Sequence, residues 1–197
     1  MSALAFFHWS EYFTTALFNN HKLSLDSFLL NHSKEYTLAA MCSWLEYGVE
    51  YYFFPFVKSW VWLSRSGVVM VIVGESLRKV AMFTSRSNFS HSIAYKKTKD
   101  HQLVTHGIYS WFRHPSYVGW FYWSIGTQLL LSNPVCLVGY TVASWKFFRE
   151  RIEEEEMTLL AFFGRQYLDY QQRVATGLPL VRGYEPTYRE RYLLYNQ

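Results

Sequence analysis

The stretch HQLVTHGIYSWFRHPSYVG, residues 101 to 119, combines histidines, aromatic side chains and turn-forming residues at a density that ordinary helices and strands lack. Gly107 permits a turn with positive φ, and Pro115 favours an extended conformation of His114 while suiting the first position of a helix. Turns beside a helix N-terminus leave backbone N–H groups that suit a ligand carboxylate. The stretch therefore predicts a small-molecule site built largely from backbone.

The aromatic side chains of this stretch indicate what such a ligand carries. Tyr109, Trp111 and Tyr117 can flank a cationic centre or stack on an adenine ring. Glu155, further along the chain, can accept hydrogen bonds from an ammonium group or a ribose. A zwitterionic ligand that is flat at one end and cationic nearby fits this set, and S-adenosylmethionine is one candidate among several.

Metal binding is the alternative chemistry for His101, His106 and His114. Three histidines can hold one zinc ion, but their spacing across a glycine-containing turn matches no zinc-ligand pattern. Di-iron sites in helical bundles use Glu-x-x-His pairs, and the glutamate run at 153–156 has no such histidine. We therefore predict a site without a metal.

Residues 115 to 145 contain no Asp, Glu, Lys or Arg, so the candidate site lies at the end of an apolar segment. One continuous helix of this length would span about 46 Å, more than the roughly 30 Å hydrocarbon core of a bilayer. Pro134 interrupts it, which predicts a helical hairpin, about 116–131 and 134–149. A buried hairpin in a soluble bundle is the alternative, but a composition of 20% aromatic and 17% charged residues favours a membrane.

Further apolar segments predict a polytopic all-α membrane bundle. Residues 36–57 and 59–83 are candidate membrane helices. The segment 3–18 is either a first span or an interfacial helix. Together with the hairpin, these segments predict four to five spans.

Charged residues inside the predicted spans need partners, because an isolated charge in hydrocarbon is costly. Glu46 and Glu50 stand four residues apart and therefore share a helix face. We predict that they pair with Lys58 or Arg65 on the next helix. A catalytic or substrate-contacting role is the alternative.

The distribution of Lys and Arg predicts the orientation of the bundle. The loop 84–113 and the tail from Lys146 onward are rich in basic residues and flank a hairpin, so both are predicted to face the cytosol. The net charge of +4 suits an anionic leaflet better than nucleic acid. We interpret residues 1–197 as one domain, with membrane helices over about 1–83 and the cofactor loop, hairpin and cytosolic C-terminal helix over about 84–197.

Helix-forming residues dominate 147–170 and predict that the second arm of the hairpin continues beyond the membrane, with Gly164 as its end. This helix would place Arg151 and Glu155 beside the histidine-containing loop. Because the two are four residues apart, a surface ion pair also accounts for their spacing. The other glutamates of the run are interpreted as a solvated face: Glu153, Glu154 and Glu156.

Several motifs together resemble isoprenylcysteine carboxyl methyltransferases. The stretch quoted above is followed by RIEEEE and FGRQYLDYQQRVATGLP, and the upstream blocks include FFHWSEY, SWLEY and GESLRKVAMFTSRSNFSH. The LVT-x-G-x-Y and RHP-x-Y core is shared with phospholipid methyltransferases and sterol reductases, but the additional blocks narrow the resemblance to this family. The resemblance covers nearly the whole chain.

The resemblance implies S-adenosylmethionine as the cofactor. It assigns Arg151 to the acceptor, as the residue that binds and orients the substrate. It assigns cofactor contacts to His101, Gln102, Leu103, Val104, Tyr109, His114, Pro115, Ser116, Tyr117 and Glu155.

The resemblance also implies the reaction: methyl transfer to the C-terminal carboxylate of a farnesyl- or geranylgeranyl-cysteine in processed CaaX proteins, at the cytosolic face of the endoplasmic reticulum membrane. A carboxylate with a pKa of about 3.5 is already ionised, so no general base is required. We expect the prenyl chain to enter from the bilayer through a gap lined by the Trp, Phe and Leu residues of 118–131. A phospholipid N-methyltransferase, whose amine acceptor would need a base, and a non-catalytic membrane scaffold with the same fold are the alternatives.

Overall fold

The computed structural model describes residues 2–20, 23–30, 33–99 and 101–195, except the side chains of residues 193 and 194. Within these ranges the regular structure is helical. The helices are α1 (Ser2–Phe18), α2 (Lys34–Phe53), α3 (Pro55–Lys58), α4 (Val61–Ser85), α5 (Pro115–Leu131), α6 (Pro134–Phe163), α7 (Arg165–Arg173) and α8 (Tyr188–Tyr195). The predicted all-α class is therefore confirmed for the described part of the chain.

The helices α4 and α5 form the tightest pair in the bundle, and glycine allows their backbones to touch. A Cβ atom built on Gly67 would lie 2.2 Å from the backbone nitrogen of Leu130. One built on Gly74 would lie 2.6 Å from the backbone nitrogen of Trp123. Small residues at such crossings let helices approach closely, as in membrane bundles. Because the later residue of α4 meets the earlier residue of α5, the two helices run antiparallel.

The predicted hairpin is present as α5 and the first half of α6. Its turn contains Ser132 with φ of 53°, and Pro134 occupies the first turn of α6. As predicted, the second arm continues well past residue 149, and α6 is followed by Gly164 with φ of 51°. One long helix therefore connects the apolar hairpin to the candidate site.

The structure contains the predicted helices, but whether they cross a membrane is a separate question. Judged by length and mean hydropathy, none of the helices in the described ranges meets the criterion for a membrane span. The number of spans and the orientation of the bundle stay predictions.

The acidic residues of α2 find partners, though not both of the predicted kind. Glu50 forms an ion pair with Lys58 at 2.6 Å, which confirms that part of the prediction. Glu46 instead accepts hydrogen bonds from the backbone nitrogens of Val135 (2.7 Å) and Cys136 (2.6 Å). The first N–H groups of a helix lack internal partners and carry partial positive charge. A helix N-terminus can therefore take the place of a cationic side chain as the partner of a carboxylate. The predicted partner for Glu46 was therefore wrong, and its role is to cap α6.

Candidate active site

A cavity opens where the loop before α5 meets the second half of α6. Its empty volume, including the open mouth, is about 680 Å³. We call it the His114 cavity. Nine of the ten residues predicted to bind the cofactor line it: Gln102, Leu103, Val104, Tyr109, His114, Pro115, Ser116, Tyr117 and Glu155.

His101 is the predicted cofactor residue that lies outside this lining. Its ring faces Phe162 on α6, with 6.0 Å between the ring centroids. The next residue, Gln102, is held in the lining by a backbone hydrogen bond, 2.8 Å long, to the side-chain oxygen of Asn88. A cofactor contact from His101 stays a prediction.

The loop takes the predicted conformation, but fewer of its N–H groups are free than we expected. Gly107 has a φ of 61° and Pro115 occupies the first turn of α5. The backbone nitrogens of Arg113 and His114 donate to the carbonyl oxygens of Ala175 (2.8 Å) and Thr176 (3.2 Å). The segment after α7 lies along the loop and uses these donors, so side chains carry more of the site than the sequence indicated.

Glu155 presents an unused acceptor to the cavity. Its Oε2 atom is buried and accepts no hydrogen bond from any described residue. The nearest charged neighbour is His114, whose Nδ1 lies 3.5 Å away. Burial opposes the charged form, but His114, Tyr117 and Arg151 outweigh it, so the pKa of Glu155 is lowered from its usual value. A buried, ionised oxygen that accepts no hydrogen bond is costly unless a ligand donor completes it.

Glu156 is not part of a solvated face, which corrects the interpretation of the glutamate run. Its side chain is 0% exposed. Its Oε1 accepts hydrogen bonds from Arg113 Nε (2.8 Å), His114 Nε2 (3.0 Å) and the Tyr167 hydroxyl (3.0 Å). Its Oε2 accepts from the backbone nitrogen of Tyr184 at 2.8 Å. Sequence spacing missed this role because the partners come from the loop, α7 and the C-terminal segment.

The pKa values of this cluster follow from burial and charge. Burial alone would lower the pKa of His114, but the adjacent Glu155 and Glu156 raise it to about 9. Burial opposes ionisation of Glu156 as well, yet His114 and Arg113 lower its pKa to about 2. His114 is therefore a cation at neutral pH and Glu156 an anion. The remaining glutamates behave as predicted: Glu154 is exposed, and Glu153 lies 3.1 Å from Arg149 in a solvated pair.

Arg151 lies beside the His114 cavity and contacts its wall. Its Nε donates to the Tyr117 hydroxyl oxygen at 3.0 Å, and its Nη2 donates to the carbonyl oxygen of His91 at 2.5 Å. Arg151 therefore does not form the surface ion pair with Glu155 that was the alternative explanation of their spacing. It is fixed against α5, and a small cavity lined by Arg151, Tyr117, Trp120, Phe147 and others lies there. We call this cavity the junction.

An apolar cleft begins on the other side of the junction. Its empty volume, with the open mouth, is about 1120 Å³, and α2, α5 and α6 form its walls. Trp120 and Phe147 line both the junction and the apolar cleft. The tryptophans of the predicted lipid gap, Trp120 and Trp123, are in its lining. The His114 cavity and the apolar cleft thus both border the junction, the first through Tyr117 and the second through Trp120 and Phe147.

A buried ionic network below the site was missed by sequence reasoning. Glu11 from α1 is 0% exposed and accepts from Arg78 Nε (2.7 Å) and Nη2 (2.8 Å). Arg78 Nη1 also donates to the Ser116 hydroxyl at 2.7 Å. His91 Nε2 lies 2.8 Å from Glu11 Oε2. The signal was available, since an arginine in one predicted span and an acid in another each require a partner.

This network positions both halves of the site. Through Arg78 it fixes Ser116 at the start of α5, and through His91 it fixes the carbonyl group that accepts from Arg151. Within the described residues, no group of three or more His, Cys, Asp or Glu side chains is arranged to hold a metal ion.

In the described part of the chain, the fold and the site define an all-helical protein in which a cavity lined by charged and aromatic side chains and a larger apolar cleft both border the junction. Comparisons with known proteins identify the family. Residues 67–161 match the model of the isoprenylcysteine carboxyl methyltransferase (ICMT) family. The protein-S-isoprenylcysteine O-methyltransferase B of Arabidopsis thaliana is 47% identical over 91% of this chain and 90% of its own length. The chain belongs to the isoprenylcysteine carboxyl methyltransferase family.

Animal relatives are more similar but longer. The protein-S-isoprenylcysteine O-methyltransferases of Xenopus laevis and Homo sapiens are 61% and 58% identical, over 92% and 93% of this chain. The chain spans 63% and 64% of their lengths. A solved structure of the eukaryotic intramembrane Ras methyltransferase ICMT is similar with a TM-score of 0.92 and 56% identity, over 93% of this chain and 66% of that one.

Proposed function

We propose that this protein transfers a methyl group from S-adenosylmethionine to the C-terminal carboxylate of a prenylated cysteine in processed CaaX proteins. The observation that carries the proposal is the contact between Tyr117 and Arg151. It lies where a cavity for a polar cofactor meets an apolar cleft, which is where a lipid-borne acceptor must meet a water-soluble methyl donor. The family's relatives are named for this reaction.

The residues of the His114 cavity fit S-adenosylmethionine. The Oε2 of Glu155, which accepts no hydrogen bond in the described part of the chain, suits the hydroxyl groups of a ribose or an ammonium group. Tyr109 and Tyr117 line the same cavity and would place aromatic rings beside a bound cation or purine. The Tyr117 ring is held by stacking with His114 and Phe148. When bound, this cofactor supplies an electrophilic methyl group on a sulfonium centre.

The acceptor side follows from the charge of Arg151. A carboxylate acceptor is ionised at neutral pH, so the protein must orient it rather than deprotonate it. The guanidinium binds such a group through parallel N–H donors. An amine acceptor would be repelled as its ammonium form, which supports the carboxylate over a phospholipid amine. The new bond joins a carboxylate oxygen to the methyl carbon, and the sulfur keeps the electron pair of the broken bond.

The apolar cleft suits the prenyl chain of the acceptor. Burial of apolar surface contributes roughly 25 cal/mol per Å², so a cleft walled by tryptophan and phenylalanine side chains favours a hydrocarbon chain over a free cysteine. The chain would reach the junction from a bilayer, and we place the protein in the endoplasmic reticulum membrane with the His114 cavity facing the cytosol. The basic loop and tail support this orientation.

The test is methyl transfer in membranes that contain this protein and no other methyltransferase. Radiolabelled S-adenosylmethionine and N-acetyl-S-farnesylcysteine are supplied, and base-labile label is measured on the farnesylcysteine. A base-labile methyl ester is expected. Label found in phospholipid instead would support the assignment of the cofactor cavity and refute the prenylcysteine carboxylate as the acceptor. Tight cofactor binding without transfer to either acceptor would support the scaffold alternative.

A further inference from the structure

A second cleft, lined mostly by polar residues, borders Arg151. Its empty volume, including the open mouth, is about 1380 Å³, and it lies between the end of α1, the turn at 24–29, the segment 89–95 and α6. We call it the polar cleft. Its lining includes Asn19, Asp26, His91, Tyr95, Arg151 and Glu154. The chemistry proposed above does not use it.

Asn19 offers this cleft a buried acceptor without a partner. The residue is 5% exposed, and its Nδ2 donates to the carbonyl oxygens of Arg86 and Phe89, both at 3.3 Å. These two bonds fix the orientation of the amide. Its Oδ1 accepts no hydrogen bond from any residue that the structure describes. A buried acceptor of this kind is satisfied by a ligand that donates an N–H or O–H group.

The charges that line the polar cleft favour a cationic ligand once the acceptor is bound. Asp26 is exposed at the mouth, and Glu154 is exposed on α6, where its Oε1 accepts from the Tyr95 hydroxyl at 2.5 Å. Arg151 offsets one of these two negative charges in the free protein, but a bound substrate carboxylate would neutralise the arginine. The negative charge of the two carboxylates is then uncompensated and attracts positive charge on the ligand.

In the proposed function, the three substituents of a prenylated C-terminal cysteine match the three cavities that border the junction. The carboxylate lies at Arg151 beside the His114 cavity, and the thioether with its prenyl chain enters the apolar cleft. The remaining substituent of the α-carbon is the amide nitrogen, through which the polypeptide continues. Arg151 and His91 line both the junction and the polar cleft, so the polar cleft is open to that substituent.

We propose that the polar cleft binds the polypeptide segment that immediately precedes the prenylated cysteine. Asn19 Oδ1 accepts a backbone N–H of this segment, and Asp26 and Glu154 attract its basic side chains. The inference rests on the proposed function, because it assumes a prenylcysteine at Arg151. It adds a preference for acceptor proteins with lysine or arginine before the modified cysteine.

The experiment compares farnesylated peptides that differ only in the two residues before the cysteine. One carries Lys-Lys and the other Glu-Glu, and kcat/KM is measured for each at low ionic strength. We expect the wild-type protein to favour the Lys-Lys peptide about tenfold, as two weakly screened charge pairs would give. The double variant D26N/E154Q should reduce the ratio to about twofold. Glu153→Gln, on the same helix but outside the cleft, should retain the wild-type ratio.

Equal rates on the two peptides in the wild type, or an unaltered ratio in the double variant, would overturn the charge preference. N-acetyl-S-farnesylcysteine, which lacks the peptide, separates the two proposals. Its methylation together with equal peptide rates refutes the polar cleft alone, whereas no methylation of any acceptor refutes the proposed function.

The hydrogen bond to Asn19 is tested on the wild-type protein with peptides in which one backbone amide at a time is N-methylated. Methylation at one position should lower kcat/KM about tenfold, since it leaves a buried acceptor unsatisfied. Asn19→Ala should lose this sensitivity while retaining the preference for lysine. Insensitivity of the wild type at every position would refute the role of Asn19.

Discussion

Arg151 Nε donates a hydrogen bond to the Tyr117 hydroxyl oxygen at 3.0 Å, and this contact joins α6 to α5 at the border between the His114 cavity and the apolar cleft. The guanidinium is held further by the carbonyl oxygen of His91. Both contacts leave the cation charged and positioned before any substrate arrives. Preorganisation of this kind lowers the barrier because the group needs no rearrangement during reaction.

Replacement of Arg151 tests its role as the acceptor clamp. We expect Arg151→Ala to lower kcat by about 10²-fold or more, as the loss of an orienting charge does, with little effect on the KM of S-adenosylmethionine. Arg151→Lys should remain impaired, because a lysine cannot bind a carboxylate through two parallel donors. Arg149→Ala is the matched control, since Arg149 is exposed on the same helix and pairs with Glu153. Steady-state methylation assays measure these values; equal loss of cofactor affinity would indicate a collapsed site.

Replacement of Glu155 tests the fit of the cofactor. Glu155→Gln removes the charge and replaces one of the two acceptor oxygens by an N–H donor, so we expect cofactor affinity to fall about tenfold. Equilibrium binding of labelled S-adenosylmethionine measures this independently of turnover. Glu153→Gln, in the solvated pair with Arg149, should bind the cofactor normally. Wild-type affinity in Glu155→Gln would refute the assignment of this carboxylate to the cofactor.

Glu156 should matter for stability more than for binding. Glu156→Gln leaves the buried Arg113 without its anion and His114 with Glu155 alone, and breaking such a cluster costs about 3 kcal/mol or more. Thermal unfolding of the purified protein in detergent should show a clearly lower Tm. Glu150→Gln removes an exposed acid 3.9 Å from Lys146 and should leave Tm nearly unaltered. Equal Tm values for the two variants would contradict the buried cluster.

The close approach of α4 and α5 predicts a contrast between two glycines. Gly67→Ala would place a methyl carbon 2.2 Å from a backbone atom of α5, so we expect the helices to separate and the Tm to fall by several degrees or more. Gly48→Ala in α2 meets nothing within 4 Å and should raise helix stability by up to about 1 kcal/mol. The same unfolding assay measures both. A tolerated Gly67→Ala would show that the two helices are not in backbone contact.

The charge state of the buried cluster predicts how stability depends on pH. The pKa of His114 is raised to about 9, so its contribution is complete below about 6.5 and is lost as pH rises through 9. The pKa of Glu156 is lowered to about 2, so its contribution is complete above about 4.5 and is lost as pH falls toward 2. Tm measured from pH 5.5 to 9.5 should therefore decline above about pH 7. His114→Gln should flatten this decline, and a flat wild-type profile would refute it.

The parts of the fold that depend on local sequence could be predicted. The charge-free run with Pro134 in its middle gave the bounds of the α5–α6 hairpin, and Gly164 marked the end of α6. His114, Tyr117 and Glu155 were placed in one cavity because the motif that contains them resembles a family of known chemistry. Local turn preferences alone did not identify the ligand.

What could not be predicted depends on contacts between distant segments. Glu156 looks like its solvated neighbours until α7 and the C-terminal segment fold over it, and Glu46 caps a helix that begins far along the chain. The network of Glu11, Arg78 and His91 needs three segments to come together. Sequence spacing indicated that these charges required partners, but not which ones.

The length and phase of α6 fix the position of the apolar cleft relative to Arg151. Gly139, Ala143 and Phe147 line the apolar cleft at four-residue steps, and the same steps lead to Arg151 and then Glu155. Each residue advances the helix by about 1.5 Å and turns it by about 100°. A single inserted residue between Gly139 and Arg151 would therefore turn the cleft-lining residues away from the arginine, whereas seven would restore the phase and lengthen the path by about 10 Å. The helix thus fixes the distance and the angle between the apolar cleft and Arg151. In the proposed function, this distance sets how deep a prenyl chain lies when its carboxylate is at the arginine.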